Sequence, residues 1–284
     1  MKLLLTGSSG FIGNYFQNNY GDKYNIETFS FLKDNLDSLD LRQIDTVIHL
    51  SALVHQMGGA AKEEYTRVNV DNTLVLAQKA KQNGVKQFIF MSTVKVYGEE
   101  TDTPYTEITK CEPQDDYGKS KLEAEKLLMK MEDDDFTVSI LRTPIVYGKG
   151  VKANILNLVK LVDKVPILPF GSIKNRRSMV YIGNLCDMID RLCECKKSGT
   201  FLAGDNIPVS TTGLIEIIAK VREKKIVLIN IPLFPYLLKT VKPSFYKRLY
   251  ESLEVDNRWS KKVLNFENKV STEEGIRKMI EGMQ

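Results

Sequence analysis

Histidine and cysteine, which supply most transition-metal ligands in proteins, are scarce in this chain of 284 residues. It contains two histidines and four cysteines, and Cys193 and Cys195 have no second pair of ligands at the spacing of a metal site. The sequence therefore predicts no metal site. Unpaired cysteines of this kind are typical of the reducing cytoplasm, where we expect the protein to reside.

Long apolar runs are also missing. The apolar N-terminus ends at Thr6 and Gly7, too early for an export signal. A second apolar stretch, residues 226–238, contains Asn230 and two prolines and is shorter than a membrane span. We predict a buried strand and a short helix there, with no integral membrane association. Basic residues on both sides of the stretch leave a peripheral membrane contact open.

A strong excess of one charge is absent as well. The formal net charge is +4, and lysine and arginine are spread along the chain. Proteins that bind nucleic acids concentrate such residues in runs or on one face. The sequence therefore predicts no nucleic-acid partner, whereas the small positive excess is compatible with an anionic small molecule.

What the sequence does contain is a regular alternation of strand-length apolar runs and helical patterns in its first half. This alternation predicts an α/β fold, a Rossmann-type doubly wound parallel sheet with helices on both faces. Strands are expected near residues 3–5, 25–30, 46–50, 87–91 and 138–141, and helices near 11–20, 62–82 and 119–131.

After Gly150 the segments become shorter and prolines more frequent. The alternation also ends there, apart from a helical pattern and a strand within residues 179–203. We therefore expect a main domain of residues 1–149 plus about 179–203. The remainder, about 150–178 plus 204–284, is expected to form a smaller lobe.

A glycine-rich loop follows the first predicted strand and opens the first predicted helix. Its spacing is G-x-x-G-x-x-G. Glycine lets the chain turn tightly and lets backbone N–H groups approach a pyrophosphate at the positive end of a helix. We predict a dinucleotide-binding site formed by Gly7, Ser9, Gly10, Phe11, Ile12 and Gly13.

The end of the second predicted strand bears on the choice between NAD and NADP. An acidic residue at this position binds the adenine ribose hydroxyls of NAD. Here the position holds Ser30, and Lys33 follows. A hydroxyl with a nearby cation tolerates a 2′-phosphate, so the sequence favours NADP(H). The alternative is that Lys33 is a solvated loop residue and that Asp34 or Asp37 binds the ribose.

Tyr117 and Lys121 lie four residues apart at the start of a predicted helix, so they share one face. A phenol titrates near ~10 when unperturbed, and a neighbouring ammonium lowers that pKa and eases proton exchange at neutral pH. The Y-x-x-x-K spacing alone is common in proteins. It gains weight from Ser92 and Thr93, which end a strand where a sheet of this type places its site.

Together these motifs resemble the extended short-chain dehydrogenases/reductases, and more narrowly the NAD-dependent epimerase/dehydratase family that acts on nucleotide sugars. The resemblance covers nearly the whole chain. Besides the glycine loop and the Tyr117–Lys121 pair, it is carried by Val68-Asn69-Val70, Ser92-Thr93-x-x-Val96-Tyr97-Gly98, Leu141-Arg142-x-Pro144-x-Val146-Tyr147-Gly148 and Ser252-Leu253-Glu254-Val255-Asp256.

The resemblance implies a role for each matching residue. Thr93 hydrogen-bonds the reacting sugar oxygen, and Ser92 is the neighbouring candidate. Tyr117 exchanges the proton, and Lys121 holds the nicotinamide ribose. The residues that line the cofactor are then Leu50, Ser51, Ala52, Met91, Tyr117 and Lys121.

The resemblance also implies that the smaller lobe binds a UDP-sugar. Arg177 falls where the family binds the nucleotide diphosphate, and a planar guanidinium suits phosphate oxygens. The alternative for Arg177 is a structural ion pair. Asn154 and Arg248 are further candidates for the same ligand. His55 either contacts the sugar or phosphate or is a structural histidine.

The residues after Thr93 bear on the reaction. Dehydratases of the family carry an Asp-Glu pair there, whereas this chain has Val94 and Lys95, so we expect no dehydration. The leading interpretation is NADPH-dependent reduction of a UDP-4-keto-6-deoxy-N-acetylhexosamine in surface polysaccharide biosynthesis. It is favoured by the missing acid after the second strand and by a short C-terminal lobe. The alternative is a UDP-glucose or UDP-N-acetylglucosamine 4-epimerase with retained NAD.

Two further hypotheses concern partners and turnover. A non-catalytic regulator that only senses the dinucleotide usually lacks the tyrosine or the lysine, and both are present here.

The resemblance also implies a homodimer packed through the helices around residues 70–82 and 118–131. Their apolar residues, which the sheet could bury instead, include Leu74, Ala77, Leu122 and Leu127.

Overall fold

The computed structural model describes residues 1–54, 60–151 and 154–283. Its centre is a sheet of six parallel strands. These are β1 (Lys2–Thr6), β2 (Asn25–Phe29), β3 (Thr46–His49), β4 (Gln87–Thr93), β5 (Thr137–Thr143) and β9 (Gly199–Leu202). Their order across the sheet is β2-β1-β3-β4-β5-β9, and every neighbouring pair is parallel.

Side chains of the strands alternate between two buried faces, as the period of two in a strand requires. Leu3 and Leu5 pack on one face, which α1 (Phe11–Tyr20) and α6 (Ile182–Cys195) cover. Leu4 packs on the other, beneath two helices, α3 (Asn72–Gln82) and α4 (Asp116–Met129). This arrangement confirms the predicted α/β, doubly wound Rossmann-type fold.

The helix predicted for residues 62–82 is interrupted in the structure. It consists of α2 (Lys62–Thr66), a π-helical turn at Arg67–Asp71, and α3. The next helix, α4, begins before the predicted position 119, because the Asp115 carboxylate accepts a hydrogen bond from Gly118 N at 2.7 Å and caps its first turn.

The chain leaves β1 in one direction, towards β2, and then crosses to form β3 on the other side of β1. Thr6 and His49 are register partners at the carboxyl ends of β1 and β3. In open α/β sheets, ligands bind in the crevice outside such a switch point. The fold therefore places the glycine-rich loop and the residues after β3 around one crevice.

The other elements form two short strand pairs and a set of helices beyond the main sheet. The pairs are β6 (Ile145–Tyr147) with β8 (Met179–Tyr181), and β7 (Ile167–Leu168) with β10 (Val227–Leu228). The helices are α5 (Asn154–Lys164), α7 (Thr211–Val221), α8 (Phe234–Val241), α9 (Pro243–Tyr250), α10 (Arg258–Leu264) and α11 (Thr272–Glu281).

The prediction of burial for residues 226–238 is wrong. A strand and a helix do form there, but Leu233 is 76% exposed and Leu237 is 62% exposed. Ile226, Leu228 and Phe234 are partly buried against the main core, and the ring centroid of Phe234 lies 6.1 Å from that of Phe170. Within the described ranges, no helix has the length and apolar character needed to cross a bilayer.

Candidate active site

The loop between β1 and α1 is packed so tightly that only glycine fits at two positions. A Cβ on Gly13 would lie 2.3 Å from the carbonyl oxygen of Gly7, and Gly7 itself has φ +69°. A Cβ on Gly7 would lie 2.9 Å from both Leu50 C and Ser51 N. The loop is thus held against the segment that follows β3, which brings two groups of predicted cofactor residues together.

The first turn of α1 faces outward from this loop. Gly10 is its N-cap residue, and no described side chain caps the turn. Ser9 and Gly10 are exposed, and Phe11 and Ile12 are half-buried. Uncapped N–H groups at the positive end of a helix suit a pyrophosphate. The close packing of Gly7 and Gly13 and this open turn fit a dinucleotide.

His49 fixes the floor of the crevice. Its Nδ1 lies 2.8 Å from Thr6 Oγ1 and its Nε2 lies 3.0 Å from Thr73 Oγ1. Thr6 Oγ1 also accepts a hydrogen bond from Ser51 N at 3.2 Å. Burial, reinforced by the charge of Lys121, lowers the pKa of His49 to about 3. His49 is therefore a neutral structural residue that holds the segment after β3 in place.

The end of β2 differs from the simplest sequence interpretation. Ser30 is half-buried, and its backbone N–H donates to Asp34 Oδ2 at 2.8 Å. Lys33 is exposed. An acidic side chain therefore does stand at this edge of the sheet, four residues after the position at which it was expected. This geometry weakens the argument for a 2′-phosphate.

Asn69, in the π-helical turn, joins the two sides of the crevice. Its side-chain oxygen accepts from Leu53 N at 2.8 Å, and its amide nitrogen donates to Leu53 O and to Ser120 Oγ, each at 3.0 Å. Ser120 Oγ in turn donates to Tyr117 O at 2.8 Å. The motif Val68-Asn69-Val70 was visible in the sequence, but this positioning role was not predicted.

Tyr117 and Lys121 lie in the first two turns of α4. Lys121 is 1% exposed, and its Nζ lies 3.7 Å from the centre of the Phe90 ring. Burial lowers the pKa of Lys121 to about 7, although Glu125 opposes the change. Lys121 can therefore exchange a proton near neutral pH.

The predicted lowering of the Tyr117 pKa does not occur in this structure. Burial, followed by the charges of Asp115 and Tyr65, raises it above its usual value. The phenol consequently holds its proton in the protein alone. Tyr117 is half-buried, and its ring centroid lies 6.3 Å from that of Tyr65.

Thr93 and Ser92 end β4 on opposite sides of the strand. Thr93 Oγ1 accepts from Lys95 N at 3.3 Å, and Thr93 lines the cavity described below. The Ser92 hydroxyl instead donates to Glu125, whose carboxylate also binds Arg142, with Nη2 to Oε2 at 2.6 Å. Ser92 is thus part of a buried polar network, and this placement does not support its predicted contact with substrate.

Lys95 occupies the region in which a dehydratase would carry an acid. Its Nζ binds the Asp115 carboxylate that caps α4, and it lies 3.5 Å from Glu99 Oε1. A Cβ on Gly118 would lie 2.9 Å from Lys95 O. Lys95 therefore anchors the helix that carries Tyr117.

A cavity of about 480 Å³ opens at the end of β4, between the sheet and α9. Its lining combines the hydroxyls of Thr93 and Thr143 with four basic side chains. Pockets of this size accept small organic ligands. The lining comprises Thr93, Val94, Lys95, Glu99, Thr143, Pro144, Ile145, Arg177, Ser178, Ser244, Lys247, Arg248 and Leu253.

Arg177 is held at the cavity by its backbone. Its backbone forms isolated β-bridges with Val209 on one side and Leu253 on the other, and its side-chain Nη1 donates to Glu251 O at 3.0 Å. Burial lowers its pKa, the charge of Glu251 opposes this and the charge of Arg248 adds to it. Two guanidinium groups at one cavity form a favourable site for phosphate oxygens.

The structure places the remaining predicted residues as follows. Leu50, Ser51 and Ala52 are half-buried beside the glycine loop, and Met91 is buried in β4. Asn154 begins α5, but its side chain lies outside the described part of the structure, as does the whole of His55.

Residues 3–204 match the family model described as the NAD dependent epimerase/dehydratase family. The chain belongs to this family. A UDP-glucose 4-epimerase from Vibrio cholerae is 34% identical to it over 97% of this chain and 93% of the relative. An N-acetyl-alpha-D-glucosaminyl-diphospho-ditrans,octacis-undecaprenol 4-epimerase from Escherichia coli O157:H7 is 29% identical over 66% of this chain and 62% of the relative.

Among solved structures, the UDP-glucuronic acid 4-epimerase from Bacillus cereus in complex with NAD has the same fold. Its TM-score is 0.78 at 21% identity, over 100% of this chain and 98% of that chain. Membership of the epimerase/dehydratase family confirms the resemblance inferred from the motifs. It also makes the chain an NAD(P)-dependent enzyme, in accord with the dinucleotide cradle between β1 and α1.

Proposed function

We propose that the chain is a UDP-hexose 4-epimerase that keeps NAD bound through turnover. The observation that carries this proposal is the cavity, which is lined by Thr93 together with Arg177 and Arg248. A nucleotide sugar needs both features, a hydroxyl at its reacting carbon and cations at its diphosphate. The Vibrio cholerae 4-epimerase, which matches nearly all of this chain, supports the same reaction.

Both arguments for a reductase lose force. The acid missing after β2 is replaced by Asp34, whose carboxylate meets Ser30 N at 2.8 Å, and this favours NAD over NADP(H). The short C-terminal lobe does not separate the chain from epimerases, because 93% of the Vibrio relative aligns with it. Epimerization is therefore the interpretation with the better support.

The chain's own residues have distinct tasks in this proposal. Thr93 donates to the oxygen at C4 and orients it. Tyr117, as the phenolate, accepts the proton of the C4 hydroxyl and later returns it to the same oxygen, so no proton is gained or lost over one turnover. Lys121, with its pKa near 7, binds the nicotinamide ribose and favours the phenolate while it is charged. The nicotinamide, when bound, would remove and return hydrogen at C4.

The basic residues of the cavity must hold the substrate while its hexose ring rotates. An epimerase must present both faces of the hexose to the same cofactor, so the fixed part of the substrate is the nucleotide diphosphate. Arg177 and Arg248 are suited to this task, since the guanidinium of Arg177 is braced by Glu251 O. The sugar can then rotate beside Thr93.

The test mixes the purified protein with UDP-glucose or UDP-N-acetylglucosamine and measures the C4 epimers by chromatography. We expect interconversion without net change in NADH, and a fall of at least about 100-fold in Tyr117→Phe. Tyr236→Phe, whose side chain is 74% exposed on α8, is the matched control and should keep full activity.

A different result would assign another reaction. If NADPH is consumed with a UDP-4-keto-6-deoxy-N-acetylhexosamine and no epimers interconvert, the chain is a reductase. If Tyr117→Phe epimerizes as fast as the wild type, the proposed catalytic group is wrong. The same assay with a sugar linked through diphosphate to a polyprenol tests the substrate named for the Escherichia coli relative.

We also propose a homodimer formed through α3 and α4. The sheet buries Ala77 and Leu122, so these predicted contacts are used inside the protomer. Val75, 47% exposed, and Met129, 38% exposed, remain on the outer surfaces of the two helices. Sedimentation velocity should give the mass of a dimer for the wild type and of a monomer for Val75→Glu combined with Met129→Glu.

A further inference from the structure

The helix pair α8–α9 presents an apolar surface to solvent. Leu233, Tyr236, Leu237 and Val241 are between 62% and 76% exposed, and Phe245 is 43% exposed. The first four stand at positions i, i+3, i+4 and i+8 counted from Leu233, and this spacing places them on one side of the helix. We call this set of five residues the α8 face. Contiguous exposed apolar side chains of this kind mark an interaction surface.

The segment that carries the α8 face has an unusual charge. Residues 224–250 contain six lysines and arginines and no aspartate or glutamate. These six charges exceed the net charge of +4 of the whole chain, so the rest of the protein is slightly negative. The positive residues are Lys224, Lys225, Lys239, Lys242, Lys247 and Arg248.

The α8 face is fixed in position by inward contacts. Phe234 packs edge-on against Phe170, and Leu249 and Tyr250 pack against the main apolar core. Neither helix, each described in full, has a fully buried residue. These inward contacts fix the two helices on the core, and the apolar side chains of the α8 face remain exposed to solvent.

We propose that the α8 face docks the protein on an anionic lipid surface. A short helix with bulky apolar residues on one side and lysines beside them lies in the membrane interface, where the apolar residues enter the acyl boundary and the lysines meet the headgroups. A second copy of the chain fits less well, because a two-fold contact would bring two such positive surfaces together.

The location of the face adds a functional consequence that goes beyond the proposed epimerization. Ser244, Lys247 and Arg248 of α9 line the substrate cavity, directly after the α8 face in the chain. Docking through α8 would hold the cavity close to the bilayer surface.

The test is cosedimentation of the full chain with vesicles of phosphatidylcholine alone or with about one third phosphatidylglycerol. We expect binding to the anionic vesicles only. Leu237→Ser should weaken it roughly ten-fold, and Lys239→Gln combined with Lys242→Gln by roughly five-fold per charge. The matched controls are Ile108→Ser, at a loop residue that is 94% exposed, and Lys130→Gln.

Binding that is lost in the α8 variants and kept in the controls supports the proposal. Three results would overturn it: no binding to anionic vesicles, equal binding by Leu237→Ser, or a loss of self-association in that variant, which would assign the face to a second copy. Epimerase activity in solution is measured in parallel. It should be unchanged in Leu237→Ser, so the failure of docking and the failure of the proposed reaction are distinguishable.

Discussion

At the scale of single residues, burial decides the chemistry of the site more than spacing does. The four-residue separation of Tyr117 and Lys121 was sufficient to predict that they share a helix face, because the helical period is local. Their pKa values were not predictable, since they depend on Phe90, Tyr65 and the depth of packing. These groups come from other elements of the fold.

The contacts of Ser92 were not predictable from the sequence either. Its neighbour Thr93 was correctly expected at the end of a strand, but a sequence does not show which side of the strand each hydroxyl faces at an active site. Ser92 donates a hydrogen bond to Glu125 of α4, and Glu125 in turn binds Arg142 of β5. No pattern in the sequence connects the three.

We predict that His49 makes the protein sensitive to acid. Its pKa is about 3 in the folded chain and about 6.5 when unfolded, so the unfolded state takes up the proton first. Stability from this residue is full above pH ~6.5 and is lost as pH falls towards 3, by about 3 kcal/mol at pH 4. Urea unfolding of the wild type and His49→Gln at pH 7 and pH 4 measures the difference. Parallel losses in both proteins would contradict the prediction.

At the scale of elements, the strands and most helices follow from periodicity and glycine placement. The π-helical turn at Arg67–Asp71 does not, because it depends on the contacts of Asn69 with Leu53 and Ser120. The exposure of α8 was not predictable either. An apolar run signals burial only when some other part of the fold covers it.

We predict that Gly13→Ala weakens cofactor binding. The new Cβ would lie 2.3 Å from Gly7 O and would push the loop between β1 and α1 away from its position. Isothermal titration should show NAD affinity lowered ~10-fold or more. Gly213→Ala is the matched control, because its Cβ would meet only the side chain of Ser210, at 3.3 Å, and needs a shift of a few tenths of an ångström there. If Gly13→Ala binds NAD like the wild type, the loop is not the pyrophosphate site.

At the scale of the whole molecule, the proposed substrate cavity combines the sheet edge with distant segments. Thr93 comes from β4, Arg177 lies between Val209 and Leu253, and Arg248 comes from α9. The sequence identified these residues by resemblance. It could not show that they line one cavity, since that depends on how the segments beyond Gly150 fold back on the main sheet.

We predict that Arg177→Met raises KM for the UDP-sugar about 10- to 100-fold, the effect of losing a charge-assisted hydrogen bond. The value of kcat should change little, because Arg177 is proposed to hold the diphosphate and not the reacting carbon. Arg176→Met is the matched control, since Arg176 points to Glu254 at the surface. Equal effects in both variants would mean that Arg177 is only structural.

The extra residue in the π-helical turn also restricts how the length of the chain can vary. Deleting one residue within Arg67–Asp71 would convert the π turn to an ordinary α turn and shift the residues of the turn itself, while α3 could keep its apolar side on the sheet. Asn69 would then lose its hydrogen bonds to Leu53 and Ser120, which join the two sides of the crevice. Insertions and deletions in related chains are therefore expected before Lys62 or after Gln82, and not between them.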